Sequence, residues 1–205
     1  MWISTSDAHR IYQLHIGEAY VLHEKEAPEG YLPAEEKGEN RHVLRCKIGD
    51  DVDMDGNGTG LVCVVERDYH GELTVEAIRQ FKLEVLDMYD KSNAVNELEY
   101  DGRKMWFDKM TRTCIAYSMQ TEMASGKTAT ELYDEKGNCY TLPISDALRL
   151  FGELELYAKA CYNVTARHRA ELNVLESVSE LLDYDITEGY PNKLVFVGNQ
   201  HESGT

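Results

Sequence analysis

Residues 91–107 have the sequence KSNAVNELEYDGRKMWF, in which Asp101-Gly102 separates two half-apolar runs. Asp-Gly favours a two-residue type I′ turn, because both central positions of that turn need a positive φ. A hairpin that turns there pairs Tyr100 with Arg103, Glu99 with Lys104 and Leu98 with Met105. The segment therefore predicts an antiparallel hairpin with one apolar face and one charged face.

Helical patterns lie on both sides of this hairpin. Thr74 can cap a helix that runs to about Asp90, since its hydroxyl can accept a first-turn N–H. A second helix is predicted from Asp108 to a left-handed stop at Gly126. Its side chains expected to face inward are Met110, Cys114, Ile115 and Tyr117. A second hairpin is predicted around residues 134–137.

A long helix is predicted from about Ser145, with apolar positions at alternating spacings of four and three. Two interpretations of this stripe remain open. It either covers the hairpins within one chain or forms an oligomer seam, for which Phe151, Leu154 and Ala158 are the interface candidates. His168 lies on the same stripe, where we expect a hydrogen-bonded core histidine rather than a metal ligand.

The N-terminal part has a different pattern, with short β-type runs and a charged loop that extends through Asn40. It predicts four short strands in a small sheet or sandwich. The fold class expected is α+β, with an N-terminal β module followed by a helix and hairpin domain that contains one long helix. The predicted division is a β module at 1–70, an α+β domain at 71–198 and a loose tail at 199–205.

The composition is that of a globular protein, with 42% hydrophobic and 28% charged residues and a net charge of −16. Such acidity disfavours nucleic-acid backbones and anionic membranes as partners, because phosphate binding depends on Lys and Arg. The start of the chain lacks the pattern of a signal peptide, so we expect folding in the cytoplasm. Five cysteines without close spacing predict no zinc site, and most are expected to be small buried side chains.

An acidic loop is the one candidate for ion binding. Asp51, Asp53 and Asp55 precede a glycine in the order found in calcium loops, but the twelfth position holds Val62 instead of a bidentate Glu. Two interpretations follow: an acidic turn between strands, or a weak calcium site formed by these three aspartates. No other cofactor and no catalytic residue are predicted.

A series of short segments runs in order through the C-terminal two thirds of the chain: KS at 91–92, MWFDK at 105–109, ASGKT at 124–128, LELYA at 154–158, CYNVT at 161–165, YDIT at 184–187 and GYP at 189–191. In these segments and their order, the region from about 78 to 196 resembles a domain family of unknown function, found in bacteriophage and prophage proteins and commonly encoded near tail-fibre genes. The N-terminal 70 residues lie outside it. The resemblance implies a virion or tail-associated role and supplies no catalytic residues.

These observations favour a non-enzymatic bacteriophage structural protein that docks onto other phage subunits and forms a homo-oligomer. The first alternative is a tail-fibre assembly chaperone that is absent from finished virions. The second is a metal-dependent enzyme that uses the acidic loop. The expected location is the virion, after folding in the bacterial host.

Overall fold

The computed structural model has an α+β fold with one long helix, which confirms the predicted fold class. It describes the backbone of residues 2–5, 9–13, 19–24, 32–52, 58–133 and 137–197. Side chains are described for residues 32–49, 64–133 and 137–197. The strands are β1 (Trp2–Thr5), β2 (His9–Gln13), β3 (Ala19–Glu24), β4 (Ala34–Gly38), β5 (Arg41–Val52), β6 (Gly58–His70), β7 (Leu98–Tyr100), β8 (Arg103–Met105), β9 (Ala129–Tyr133), β10 (Cys139–Pro143) and β11 (Leu194–Phe196). The helices are α1 (Val75–Asp90), α2 (Lys109–Ala124), α3 (Ile144–Val174) and α4 (Val178–Asp183).

The chain divides into two compact units that differ from the predicted division. The first unit combines Met1–Lys91 with Thr165–Gly189, and the second combines Ser92–Val164 with Tyr190–Thr205. An element boundary does lie near residue 70, between β6 and α1. However, α1, the end of α3 and α4 belong to the same compact unit as the N-terminal strands. A separate β module at 1–70 therefore stays a prediction.

The first unit contains a six-stranded sheet in the order β1-β2-β3-β6-β5-β4, larger than the four short strands predicted. Its centre is the long antiparallel pair of β5 and β6, with Leu44 opposite Arg67. The predicted charged loop before Asn40 is wrong in part, because Ala34–Gly38 pairs with β5 as an edge strand. Asn40, at φ 54°, helps to turn the chain between these strands. The segment AEEKG has few strand-favouring residues, so its pairing depends on its neighbour.

Helix α1 completes the core of the first unit. The Thr74 hydroxyl accepts the Ala77 N–H at 3.2 Å, as predicted for the cap. Four apolar side chains at helical spacing form one buried stripe: Ile78, Phe81, Val85 and Met88. Burial of such apolar side chains contributes about 1.5–3 kcal/mol each, which makes this stripe the main reason that the helix packs.

The second unit contains the predicted hairpin. Tyr100 pairs with Arg103, Glu99 with Lys104 and Leu98 with Met105. Asp101 and Gly102 have φ values of 49° and 73°, as a type I′ turn requires. Strand β11 adds in parallel beside β7. That pairing joins segments almost a hundred residues apart, and local sequence patterns do not reveal it.

The remaining elements of the second unit also follow the sequence. Helix α2 begins after Asp108, as predicted, and the Asp108 carboxylate caps it by accepting the Met110 N–H at 2.8 Å. The helix ends at Ala124, just before the predicted left-handed stop at Gly126, where φ is 89°. Strands β9 and β10 form the second predicted hairpin. Helix α3 begins directly after Pro143, and the Ile144 N–H donates to the Thr128 carbonyl at 3.0 Å.

Candidate functional site

Two of the three predicted calcium ligands lie outside the described residues. Asp53 and Asp55 fall in the undescribed segment 53–57, and Asp51 has a described backbone at the end of β5 but no described side chain. Within the described part of the chain, no three His, Cys, Asp or Glu side chains come close enough to hold a metal ion. The weak calcium site therefore stays a prediction.

The candidate interface residues on α3 are buried within the chain. Leu154 is 0% exposed and Phe151 is 4% exposed, while Ala158 is half-buried. Phe107 packs against the ring of Phe151 with centroids 5.3 Å apart. This burial agrees with the interpretation of the stripe as core. An oligomer interface on this stripe would instead require the side chains of Phe151 and Leu154 to be exposed on the surface of the chain.

Helix α2 presents the opposite face from the one predicted. Met110 is 74% exposed and Tyr117 is 73% exposed, Cys114 is also exposed, and Ile115 is half-buried. The residues that α2 buries are Arg112 and Met119. The prediction of an inward row of Met110, Cys114 and Tyr117 is therefore wrong, and these side chains form an outward row.

Arg112 explains this orientation. Its Nη1 donates to the buried Phe107 carbonyl at 2.6 Å, and its Nε donates to Glu155 Oε2 at 3.0 Å. The guanidinium also lies over the Trp106 ring, 5.3 Å from the centroid. These three interactions satisfy a charge that would otherwise be costly to bury. A prediction from hydropathy puts arginine on the exposed face of a helix and apolar residues on the buried face. For α2 this rule exchanged the two faces, because Arg112 is buried.

The outward surface of α2 carries no charged side chain from Met110 to Thr121. Arg112 is the one charged residue in this stretch, and it faces inward. The outward residues are Met110, Thr113, Cys114, Tyr117, Ser118, Gln120 and Thr121. In a chain with a net charge of −16, an exposed helix surface without charge is unusual. We call this surface the α2 face.

Further exposed apolar side chains lie elsewhere in the second unit. They are Tyr133 on β9, Leu156 and Tyr162 on α3, Val195 on β11 and Val197 just after β11. Large exposed aromatic and methionine side chains are enriched where proteins contact each other. The α2 face differs from these residues, because its members lie on successive turns of one helix.

His168 is a hydrogen-bonded core histidine, as predicted. Its Nε2 lies 2.8 Å from the Glu188 carbonyl and its Nδ1 lies 2.7 Å from Tyr184 Oη, which in turn donates to Glu171 Oε2. A carbonyl only accepts, so Nε2 carries a hydrogen. Burial and then the bond to Glu171 raise the pKa of Tyr184 above its ordinary value. The cluster ties the end of α3 to residues 184–188.

Lys82 is a buried charge that the sequence analysis did not identify. Its ammonium donates to the carbonyls of Leu182 and Tyr184, each at 2.9 Å, and lies 3.7 Å from Cys46 Sγ. Burial raises the pKa of the Cys46 thiol, and the nearby ammonium partly opposes that effect. Lys82 therefore caps the C-terminal end of α4 by donating to carbonyls that have no partner within the helix. Cys46 and Cys161 are buried as expected, whereas Cys114 and Cys139 are exposed.

A cavity of about 330 Å³ lies in the first unit, between β6 and the start of α1. Phe81 and Leu44 form apolar walls, and Arg67 lines the same space. Arg67 Nη2 pairs with Glu84 at 2.6 Å. Its Nε is the one buried side-chain nitrogen or oxygen without a hydrogen-bond partner among the described residues.

The chain matches no protein-family model, no curated protein and no solved structure. The resemblance of residues 78–196 to the phage family therefore stays an expectation. No helix among the described residues combines the length and apolar character needed to cross a membrane.

Proposed function

We propose that this chain is a non-enzymatic structural protein of a bacteriophage particle, in or attached to the tail, that docks onto other phage subunits. The observation that carries the proposal is the α2 face. This surface carries no charge and exposes the large side chains of Met110 and Tyr117 to water, so the free energy falls when another protein covers it. The docking role rests on that surface, and the phage context rests on the sequence resemblance of residues 78–196.

The charge of the chain supports a protein partner over a nucleic acid. Nucleic-acid contacts need clustered Lys and Arg, and the chain has 21 such residues against 37 Asp and Glu. The uncharged α2 face offers nothing that would neutralise a phosphate. It fits an apolar protein surface, with Tyr117 and Met110 as the largest side chains available for contact.

The test is quantitative mass spectrometry of purified phage particles produced with a tagged copy of the chain. The proposal expects the chain at a fixed copy number per particle. A second sample carries Tyr117→Lys, which should lower incorporation, and a matched sample carries Tyr162→Lys, which alters a similarly exposed tyrosine on α3. Absence from particles, with recovery bound to fibre proteins in the lysate, would instead indicate an assembly chaperone.

A further inference from the structure

The α2 face contains a regular row of side chains. Met110, Cys114, Tyr117, Thr121 and Ala124 follow spacings of four, three, four and three, and each of them is exposed. This spacing keeps the row on one side of a helix and is the spacing with which two helices pack side by side. At 1.5 Å per residue, the 16 residues of α2 span about 24 Å.

The lack of charge on this row restricts the partner. A partner with charged groups at the contact would lose their hydration and find no opposite charge on α2 between Met110 and Thr121. A second copy of the same chain brings an uncharged face of equal length. The helix contact then brings no like charges together, and salt screens the repulsion between the two acidic chains.

We propose that the α2 face binds the α2 face of a second copy of this chain, in an antiparallel arrangement about a twofold axis near Cys114. In such a contact, a residue at a given distance before the axis faces the partner residue at the same distance after the axis. Met110 and Tyr117 lie at nearly equal distances from Cys114, so Met110 faces the partner's Tyr117 on both sides. Thioether and aromatic groups pack favourably, and the row is therefore complementary to itself.

This inference names the partner for the docking face of the proposed function and rests on that face being a docking surface. It also predicts an unusual dependence on salt. Both copies are strongly acidic and the contact contains no ion pair, so added salt weakens only the repulsion between copies. We expect the dimer to strengthen from low to high salt. A single helix pair is small for an interface, so the dimer should be weak and concentration-dependent.

The first experiment is sedimentation equilibrium of the purified full chain, from about 5 to 500 μM, a range chosen for a small interface. The expected result is a monomer–dimer equilibrium that shifts toward dimer with sodium chloride. Tyr117→Lys should raise the dissociation constant at least about tenfold, because a contact tyrosine is lost twice by symmetry. Since Tyr117 is largely exposed, this variant should keep the wild-type melting temperature. The control Tyr162→Lys should leave the dissociation constant unchanged.

The second experiment places the twofold axis. Cys139 is the other exposed cysteine among the described residues, so Cys139→Ser leaves Cys114 for oxidation by copper phenanthroline. We expect a disulfide-linked dimer from wild type and from Cys139→Ser, and none from Cys114→Ser. A monomer at every concentration, a dimer unaffected by Tyr117→Lys, or weakening with salt would overturn the inference. Particle mass spectrometry is independent of these results, so the phage assignment and the twofold contact can fail separately.

Discussion

Replacing Arg112 with methionine tests whether this side chain fixes α2 to the second unit. Methionine keeps a long apolar stem but removes the guanidinium. The loss leaves the buried Phe107 carbonyl without its donor, which costs about 1–3 kcal/mol. Loss of the contact with Trp106 costs about 0.5–1 kcal/mol. Glu155 is 55% exposed, so its ion pair contributes at most about 1 kcal/mol.

Together these losses predict a destabilisation of roughly 1.5–5 kcal/mol for the second unit. Trp106 and Trp2 are the two tryptophans of the chain, so fluorescence in a Trp2→Phe background reports on Trp106 during urea unfolding. Glu155→Gln is the matched control and should cost no more than about 1 kcal/mol. If Arg112→Met is as stable as that control, the inward arginine does not hold α2, and the assignment of its outward face fails as well.

The other predictions concern the core, the turn, a proton and an ion. Leu154→Glu buries an unpaired charge and should abolish cooperative unfolding by circular dichroism; a folded monomer would identify an oligomer seam instead. Gly102→Val should cost at least about 1 kcal/mol, because a β-branched residue is strained at φ 73°; an unchanged melting temperature would argue against the turn. The folded state holds the Tyr184 proton more tightly than the unfolded state, so stability present below about pH 10 should fall as the pH rises above it. Tyr184→Phe should flatten that decline, and an identical slope in both proteins would contradict it. The calcium interpretation of the acidic loop predicts weak binding, at about 0.1–1 mM, that Asp53→Ala removes in calorimetry; equal heats in both proteins, or no heat, would leave the loop as an acidic turn.

Local chemistry determined the turn, the caps and most of the helices. The Asp101-Gly102 turn, the Thr74 cap and the stop at Gly126 follow from backbone preferences that act within a few residues. The stripe on α1 and the buried histidine on α3 follow from the helical period. These features are predictable because their energies depend on neighbours in the sequence.

Tertiary structure alone decided which face of α2 is buried and how the two compact units are composed. Arg112 reaches the nearby Phe107 carbonyl locally, but its second acceptor, Glu155 on α3, lies far along the chain and meets it only after folding. Lys82 likewise depends on carbonyls about a hundred residues away. Hydropathy predicts where a charged side chain is costly, but it cannot predict which distant acceptors satisfy it. The outward row on α2, and with it the proposed docking surface, therefore becomes visible only in the folded chain.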